Sequence, residues 1–324
     1  MARIFIDGFE SGQLNLWDGV VGATVVAAQS GMDGSYCLDC YSAGTAQKYV
    51  KKNISALSEI FIGFRWMPKN ANRFLSFYNG STLLGKLHLS GNGGNIVAYR
   101  GSTSIATGTE TINYNSVYLI EVRYKPDDSA GVFQVKVNGV TDIDFSGDTT
   151  PGATTVDNFW LSHNDNNFPS GYFDNVVVDD ADWPGNTRIA ALKPIGAGSL
   201  TQWDPSAGSN WDCVDEVPAS DSDYISTDAA EEVDLFAAAD LPANAYSVKC
   251  VQVQARALKE GNSLNVQNLQ LACRTNLNDY FSENFAVPTS AKSFAKLWQN
   301  NPNTAQPWTK GEVDAMEIGV KAVA

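Results

Sequence analysis

Short apolar runs alternate with clusters of Gly, Asn, Asp and Ser along the first half of the chain, at a spacing of roughly ten residues. Runs such as 60–66 and 118–124 are too short for ordinary helices and are rich in β-branched and aromatic residues. Aromatic residues make up 11% of the chain and charged residues only 18%, which is typical of a loop-rich β protein. Many short strands separated by regular turns predict an all-β fold with a jelly-roll sandwich.

The clearest local signal is the Asn138-Gly139 pair, which stands between two alternating apolar runs, 133–137 and 140–145. Both central positions of a type I′ turn have positive φ, a conformation that Asn and Gly adopt more readily than other residues. The sequence therefore predicts a two-stranded hairpin that closes at this pair.

The length of 324 residues exceeds what one hydrophobic core ordinarily holds, so two domains are expected. The β pattern of the first domain ends at Pro184-Gly185, and such a pair after a strand indicates a domain exit. We predict a jelly-roll domain over residues 1–183, a linker over 184–199, and a smaller β-sandwich-like domain over 200–324.

The chain carries 22 basic and 36 acidic residues, a formal net charge of −14, so nucleic acid is not an expected partner. No apolar run approaches ~20 residues, so a membrane is not expected either. Residues 1–10 lack the features of a secretory signal. Five irregularly spaced cysteines, among them the isolated C-x-x-C of Cys37 and Cys40, are predicted to be free thiols in a reducing compartment.

Several segments of the first domain follow one another in the order of a known fold family. They are Asp7-Gly8-Phe9-Glu10, strand 118–124, the Asn138-Gly139 hairpin, and the stretch from Trp160 to Val178. In this order they resemble the concanavalin A-like lectin and glucanase jelly rolls, laminin-G-like domains included. The resemblance implies that the final strand returns beside the first, so that residues 4–9 pair with residues 173–178.

Residues 1–12, 172–185 and 308–321 together resemble segments of virion proteins of tailed bacteriophages and prophages. The resemblance implies a non-enzymatic structural protein of the virion: a capsid decoration protein, a head fibre or a tail accessory protein. It further implies assembly in the host cytoplasm and docking on phage capsid or tail proteins. Because exposed sandwich edges invite pairing, a homo-oligomer is also expected, with a trimer as one candidate.

The alternative hypothesis is a carbohydrate-binding adhesin that attaches to glycans, such as those of a host surface, through the jelly-roll domain. Exposed aromatic rings beside amide side chains suit sugars, since each ring combines an apolar face with polar neighbours. Trp160 lies in a strand pattern in which burial is the default expectation. The candidate carbohydrate-binding residues are Trp66, Tyr78, Tyr99, Asn164 and Asn166.

A third hypothesis is a glycan-cleaving enzyme, because Glu312, Asp314 and Glu317 have the spacing of the carboxylate strand in the glucanase branch of this fold. This motif lies in the second domain, outside the jelly roll that would form the cleft. Thr309 and Glu312 also have the spacing of a capping box, which predicts a short helical turn near 309–315. A helical turn breaks the alternation that the chemistry requires, so we expect no enzymatic activity.

Acidic loops at 127–128, 179–182 and 221–223 leave calcium open as a ligand, although none has the spacing of a defined calcium loop. No other cofactor is expected, and the sequence assigns no metal-ligating residues.

One small basic cluster stands out against the acidic composition, Lys48-Tyr49-Val50-Lys51-Lys52. We interpret it as a local docking patch or a solvated strand edge.

Overall fold

The structure is a computed structural model that describes residues 3–42, 46–70, 72–162, 170–244, 247–261 and 265–324. Contacts between Cα atoms divide the chain into two compact units, Met1–Ile189 and Ala190–Ala324. Both units are built from antiparallel strands, with very little helix. The predicted all-β class with a jelly-roll sandwich is confirmed.

The first unit contains fifteen strands in the described part of the chain. In chain order, β1 to β15 are Arg3–Asp7, Gly19–Val21, Thr24–Ala27, Tyr36–Tyr41, Tyr49–Leu57, Ile60–Pro68, Arg73–Asn79, Thr82–Leu89, Ile96–Arg100, Thr103–Thr107, Tyr118–Lys125, Gly131–Val137, Val140–Gly147, Val156–Leu161 and Ser170–Asp179.

These strands form two sheets. The eight-stranded sheet has the order β13-β12-β11-β6-β15-β4-β3, with β1 also paired to β15, and the seven-stranded sheet has the order β10-β9-β8-β7-β14-β5-β2. The first strand pairs antiparallel with the last, and Phe5 lies opposite Val178. The predicted return of the final strand beside the first is therefore confirmed.

The hairpin between β12 and β13 closes where the sequence predicts it. Val137 pairs with Val140, and the two residues between them, Asn138 and Gly139, have φ of 51° and 83°. Positive φ at both central positions defines the type I′ turn, so this prediction is confirmed.

Stacked aromatic rings from opposite sheets fill the centre of the first unit. Trp66 of β6 lies 4.1 Å from Phe74 of β7 between ring centroids, and Phe77 of β7 lies 4.6 Å from Tyr124 of β11. All four rings have no solvent-exposed surface. Each such pair contributes about 0.5–1.5 kcal/mol beyond the burial of its area.

The segment after β15 packs on the outer side of the eight-stranded sheet. Trp183 makes an edge contact with Phe61 at 5.8 Å, and Lys136 places its Nζ 3.7 Å from the centroid of the Trp183 ring. The guanidinium of Arg65 donates to Asn186 Oδ1 at 2.8 Å. The chain itself therefore covers part of this outer face.

The Asp7-Gly8-Phe9-Glu10 motif has a structural role at one end of the eight-stranded sheet. The carboxylate of Asp7 accepts hydrogen bonds from Phe9 N and Trp17 Nε1, both at 2.8 Å. Glu10 accepts from the backbone amides of Ser35 and Tyr36. These two acids consequently fix the path of the chain into and around the sandwich.

The second unit contains ten strands, one short 3₁₀-helix and one short α-helix in its described part. Strands β16 to β25 are Pro194–Thr201, Asp204–Pro205, Ile225–Ser226, Val233–Ala238, Val251–Ala257, Asn268–Thr275, Asn278–Phe281, Phe285–Ala286, Lys292–Trp298 and Glu317–Val323; the 3₁₀-helix is Asp212–Val214 and the α-helix α1 is Lys310–Asp314.

A six-stranded sheet with the order β16-β19-β25-β21-β22, and with β23 paired to β21, forms most of the second unit. Helix α1 begins after Thr309, which shares with Glu312 the reciprocal hydrogen bonds of a capping box. Residues 194–199, which the sequence analysis places in a linker, belong instead to β16, because its backbone pairs with β19. Within the described ranges, no helix is long and apolar enough to cross a membrane.

The buried carboxyl of Asp174 makes the first unit sensitive to pH. Loss of hydration raises the pKa of Asp174 to about 7, although hydrogen bonds from the Asn175 and Asp33 amides oppose the rise. A carboxyl with a raised folded-state pKa contributes stability below its unfolded pKa and loses that contribution as pH rises through the folded value. The unfolding free energy should therefore fall as pH rises from about 4 to about 7.

We predict that Asp174→Asn flattens this fall between about pH 4 and about pH 7, because the amide cannot ionise. Denaturant midpoints measured across that range test the expectation. Asp127→Asn is the matched control. Asp127 is exposed, and hydrogen bonds from the Ala130 and Ser129 amides are the main cause of its lowered pKa. Its contribution to the free energy of unfolding therefore changes only at acidic pH. An unchanged pH slope in Asp174→Asn would contradict the assignment.

Candidate functional site

One row of side chains crosses the outer face of the seven-stranded sheet at right angles to its strands. Pairing places Lys51 of β5 beside Trp160 of β14, then Ser76 of β7, Lys86 of β8 and Tyr99 of β9. Because strand residues alternate between the two faces, all five lie on one face, although Ser76 has no exposed surface. This face is the outer one, because the residues next to them along each strand point into the core. These core residues include Val50, Phe159, Leu161, Leu75, Phe77, Leu87 and Ala98. We call these five residues the transverse row.

Aromatic rings are stacked at the β5–β14–β7 end of the row. Trp160 lies 4.6 Å from Tyr49 with an angle of 19° between the ring planes, and 4.8 Å from Tyr78 with an angle of 30°. Trp160 is half-buried, and Lys51 Nζ lies 6.0 Å from its ring centroid. The three stacked rings and the neighbouring ammonium form a platform on the outer side of the sandwich.

A hydrogen-bonded asparagine holds this platform in place. Trp160 Nε1 donates to Asn158 Oδ1 at 2.7 Å, and Asn158 Nδ2 donates to Gly80 O at 3.0 Å and to Asp157 Oδ1 at 2.7 Å. Asn158 is only 2% exposed, so its donors and acceptor need these protein partners. The indole is therefore fixed in orientation before any ligand arrives.

The opposite end of the row carries a second aromatic and two basic groups. Lys86 Nζ lies 5.0 Å from the ring centroid of Tyr99, and the His88 ring meets Tyr99 edge-on at 6.2 Å. Arg73 pairs across the strands with His88. Cations beside aromatic faces gain about 0.5–1 kcal/mol at exposed sites, so these contacts pre-position Lys86 and Tyr99.

Charge is distributed unequally between the two sheets of the first unit. The strands of the seven-stranded sheet contain five Lys or Arg residues and one acid. Those of the eight-stranded sheet contain five Lys or Arg residues and seven acids. The single acid, Asp157, accepts from Gly80 N at 2.9 Å. Lys52 and Arg100 form ion pairs with Asp18 and Asp148 outside the strands. The strands of this sheet thus carry more basic than acidic residues, although Arg73 is only 3% exposed.

The carbohydrate-binding residues predicted from sequence lie in different parts of the structure. Tyr78 belongs to the stacked platform, although it is only 7% exposed, and Tyr99 belongs to the transverse row. Trp66 has no exposed surface, because it fills the core against Phe74. Trp66 is therefore not part of a ligand-binding face, which corrects its selection. Asn164 and Asn166 lie outside the described residues.

Sequence reasoning missed Trp160, Tyr49, Lys51 and Lys86 as members of one surface. Trp160 was expected to be buried, yet its ring lies on the outer face and is half-buried. The alternation within β14 could have indicated this, because Trp160 is two residues from the polar Asn158 and next to the core residue Phe159. Trp160 therefore shares a face with Asn158 and not with Phe159. The small basic cluster at 48–52 was a second signal, since it supplies two members of this surface.

The acidic loops proposed for calcium do not converge. No group of three or more His, Cys, Asp or Glu side chains that could hold a metal ion occurs among the described residues. Asp179 is buried with Arg3 at 3.8 Å, Asp127 accepts hydrogen bonds from its own loop, and Asp221 forms an ion pair with Arg256. Each of these acids has a structural partner.

The glucanase-like carboxylates also have structural partners. Glu312 closes the capping box with Thr309, which lowers the pKa of its carboxyl. Glu317 accepts hydrogen bonds from the amide and the hydroxyl of Ser199, which lies in β16 of the second unit. Since Glu312 lies on a helix and Glu317 on a strand, the two do not alternate along one strand.

No protein-family model and no curated protein matches this sequence. Similar solved structures include the endo-β-1,4-glucuronan lyase of the fungus Trichoderma reesei, with 17% identity and a TM-score of 0.40 over 56% of this chain and 96% of that chain. Domain 4 of the extracellular GH43 arabinanase AbnA of Geobacillus stearothermophilus, solved with arabinotriose, has 15% identity and a TM-score of 0.35 over 54% of this chain and 91% of that chain. A tetrameric galectin of the ball sponge Cinachyrella sp. has 15% identity and a TM-score of 0.31 over 40% of this chain and 97% of that chain.

The expectation that this chain is not an enzyme is corrected by these comparisons. The similar structures include a glucuronan lyase, an alginate lyase and a mutant sialidase with trans-sialidase activity. At such low identities and TM-scores, none of the activities of those proteins is carried over to this chain.

We predict that Asn158→Ala lowers the free energy of unfolding by about 1–3 kcal/mol, because it leaves buried partners unsatisfied and releases the Trp160 indole. Denaturant unfolding measures the loss, and tryptophan fluorescence reports the changed environment of the ring. Asn53→Ala is the control: Asn53 pairs with Asn158 across β5 and β14 but is exposed. Equal effects of the two substitutions would refute the positioning role of Asn158.

Proposed function

We propose that the first unit binds carbohydrate on the outer face of its seven-stranded sheet. The observation that carries the proposal is the stack of Tyr49, Trp160 and Tyr78, continued across the sheet by Tyr99. Sugar rings present apolar C–H faces and polar hydroxyl edges. Tyr and Trp combine an apolar body with a polar tip, so a row of them suits such a ligand.

The location of the exit segment favours this face over the opposite one. Trp183 and its neighbours pack against Phe61 and Lys136 on the eight-stranded sheet. The corresponding aromatics of the seven-stranded sheet, Trp160 and Tyr99, stand beside lysine side chains instead. The hydrogen bond to Asn158 fixes the orientation of the Trp160 indole before any ligand arrives.

The proposed site does not extend to the second unit. Its buried residues, such as Leu271, Trp298 and Trp308, form a separate core. Its large exposed hydrophobic residues, Ile195, Tyr224, Leu258 and Leu277, are not part of the seven-stranded sheet. The first unit alone carries the features on which carbohydrate binding is proposed.

We also propose that this carbohydrate-binding unit functions on a virion, as a particle-borne adhesin. The support for this setting is the resemblance of residues 1–12, 172–185 and 308–321 to phage and prophage virion proteins. None of the similar solved structures named above is a virion protein. Detection of the chain in purified particles would support the setting, and its restriction to the lysate would oppose it.

We predict that Trp160→Ala and Tyr99→Ala each weaken glycan binding by about tenfold or more, because each loss removes an aromatic ring from the proposed binding face. A glycan array identifies ligands of the wild-type chain, and titration calorimetry then compares affinities. Trp183→Ala is the matched control, because it removes a half-buried tryptophan that packs on the outer side of the other sheet. It should leave the affinity unchanged.

Melting temperatures establish that each variant is folded, and Tyr99→Ala tests the row independently of the stacked platform. Absence of any glycan binding by the wild-type chain, or equal losses in Trp183→Ala and Trp160→Ala, would rule out this site.

A further inference from the structure

We propose that two copies of this chain form a dimer through the edges of β2 and β3 in the first unit. These two strands make up one side of the sandwich, because β2 ends the seven-stranded sheet and β3 ends the eight-stranded sheet. On this side, which we call the open side, no further strand pairs with either of them among the described residues. Unpaired strand edges are surfaces on which another β edge can add.

The strands β2 and β3 lie at the same level on the two sheets, and each ends a row of paired residues. The rows are Val20, Val50, Leu161 and Leu75 in the seven-stranded sheet, and Val25, Leu38, Phe173 and Trp66 in the eight-stranded sheet. They face each other across the core, because the Trp66 ring stacks at 4.1 Å on Phe74, the residue next to Leu75.

This geometry favours a second copy as the partner. A two-fold axis perpendicular to the sheets at this level pairs β2 with β2 and β3 with β3 at the same time, and both pairs are antiparallel. Any other partner would have to present two strand edges with the same separation, about 10 Å. A copy of the chain meets this requirement by symmetry.

The core of the sandwich is incompletely covered on the open side. Val20 points inward beside the fully buried Val50, yet it is 42% exposed. Val25 also points inward, beside the buried Leu38, and is only partly buried. Apolar side chains that face the gap between the sheets and still contact water favour a partner that covers them. In the dimer, Val20 and Val25 of each copy are covered by the other.

Charge and regularity distinguish the open side from the opposite one. The fourteen residues from Gly19 to Met32 carry no charge in a chain of net charge −14, so the two edges meet without acids in the paired strands. On the opposite side, β13 carries Asp142 and Asp144, and register shifts interrupt the pairing of β13 and of β10. Charges and bulges keep sheet edges from pairing. Neither occurs in β2 or β3.

Alternation along β3 identifies backbone groups that bond across the dimer interface. Ala28 N donates to Ser35 O at 2.9 Å, on the side of β4. Val25 and Ala27 therefore direct their N–H groups to the open side. Ala27→Pro removes one of these donors and leaves the bonds between β3 and β4 in place.

The edge strand β10 on the opposite side offers a matched position. Gly108 N donates to Ile96 O at 2.8 Å, so the preceding residue, Thr107, directs its N–H away from β9. Thr107→Pro therefore makes the same chemical change on an edge that takes no part in the dimer.

Sedimentation velocity of the full chain over a range of concentrations measures the association. Because the paired strands are short, we expect a weak dimer with a Kd of about 10 µM. Ala27→Pro should raise this Kd at least about tenfold, whereas Thr107→Pro should leave it unchanged. Thr24→Glu adds an acid to each copy at the exposed start of β3 and should also raise the Kd, with Ser104→Glu on β10 as the control for net charge.

Three results would overturn the dimer. They are a chain that stays monomeric at about 100 µM, tenfold above the expected Kd, a trimer, and a dimer that responds equally to Ala27→Pro and Thr107→Pro. Melting temperatures establish that each variant is folded. If Ala27→Pro does not fold, the comparison of Thr24→Glu with Ser104→Glu decides, and equal Kd values for these two would also overturn the dimer.

The dimer also places two copies of the proposed carbohydrate-binding face on one side, a consequence that rests on the proposed function. Since β5 adjoins β2 and β14 adjoins β5, the two Trp160 rings lie five strand spacings apart, roughly 24 Å. Ala27→Pro should therefore weaken retention on an immobilised glycan more than Thr107→Pro does, with no change in affinity for the same glycan in solution. Absence of glycan binding would remove this consequence and leave the dimer intact.

Discussion

Ring stacking between the two sheets fixes which side chains of β7 point into the core of the first unit. Phe77 lies against Tyr124, and Phe74 lies against Trp66, so β7 is held to the opposite sheet at two places. Because strand side chains alternate, an inward Phe77 requires an outward Ser76, and the irregularity between Arg73 and Leu75 lets Phe74 point inward as well. Because paired residues on adjacent strands point to the same face, the residues paired with Ser76 and the residues paired with them also point outward. The surface row is thus a consequence of core packing.

Backbone pairing converts these scattered sequence positions into one surface. Lys51, Ser76, Lys86, Tyr99 and Trp160 span more than 100 residues of chain, yet they occupy adjacent strands. A shift of one residue in any strand would move that member into the core. Core burial on the inner face resists such a shift, so the same apolar contacts that stabilise the sandwich also preserve the site.

The sequence was sufficient wherever the determining interactions are local. The Asn138-Gly139 turn and the capping box at Thr309 each depend on residues within a few positions of one another. It was harder to assign which side of its sheet a tryptophan occupies. In β6 nearly every residue is buried, so buried and exposed residues do not alternate along the strand. Trp66 was therefore selected as exposed although it lies in the core. In β14, polar Asn158 alternates with core residue Phe159, and this pattern could have assigned Trp160 to the outer face.

The remaining features of the site depend on register among strands that are distant in sequence. The sequence shows Lys51 and Lys86 as two lysines among many polar residues, and only pairing through β14 and β7 places them in one row. Similarly, residues 194–199 have the small and polar composition of a linker. They form β16 because β19 offers unpaired backbone groups for them to bond. Backbone hydrogen bonding, which composition does not report, decided this boundary.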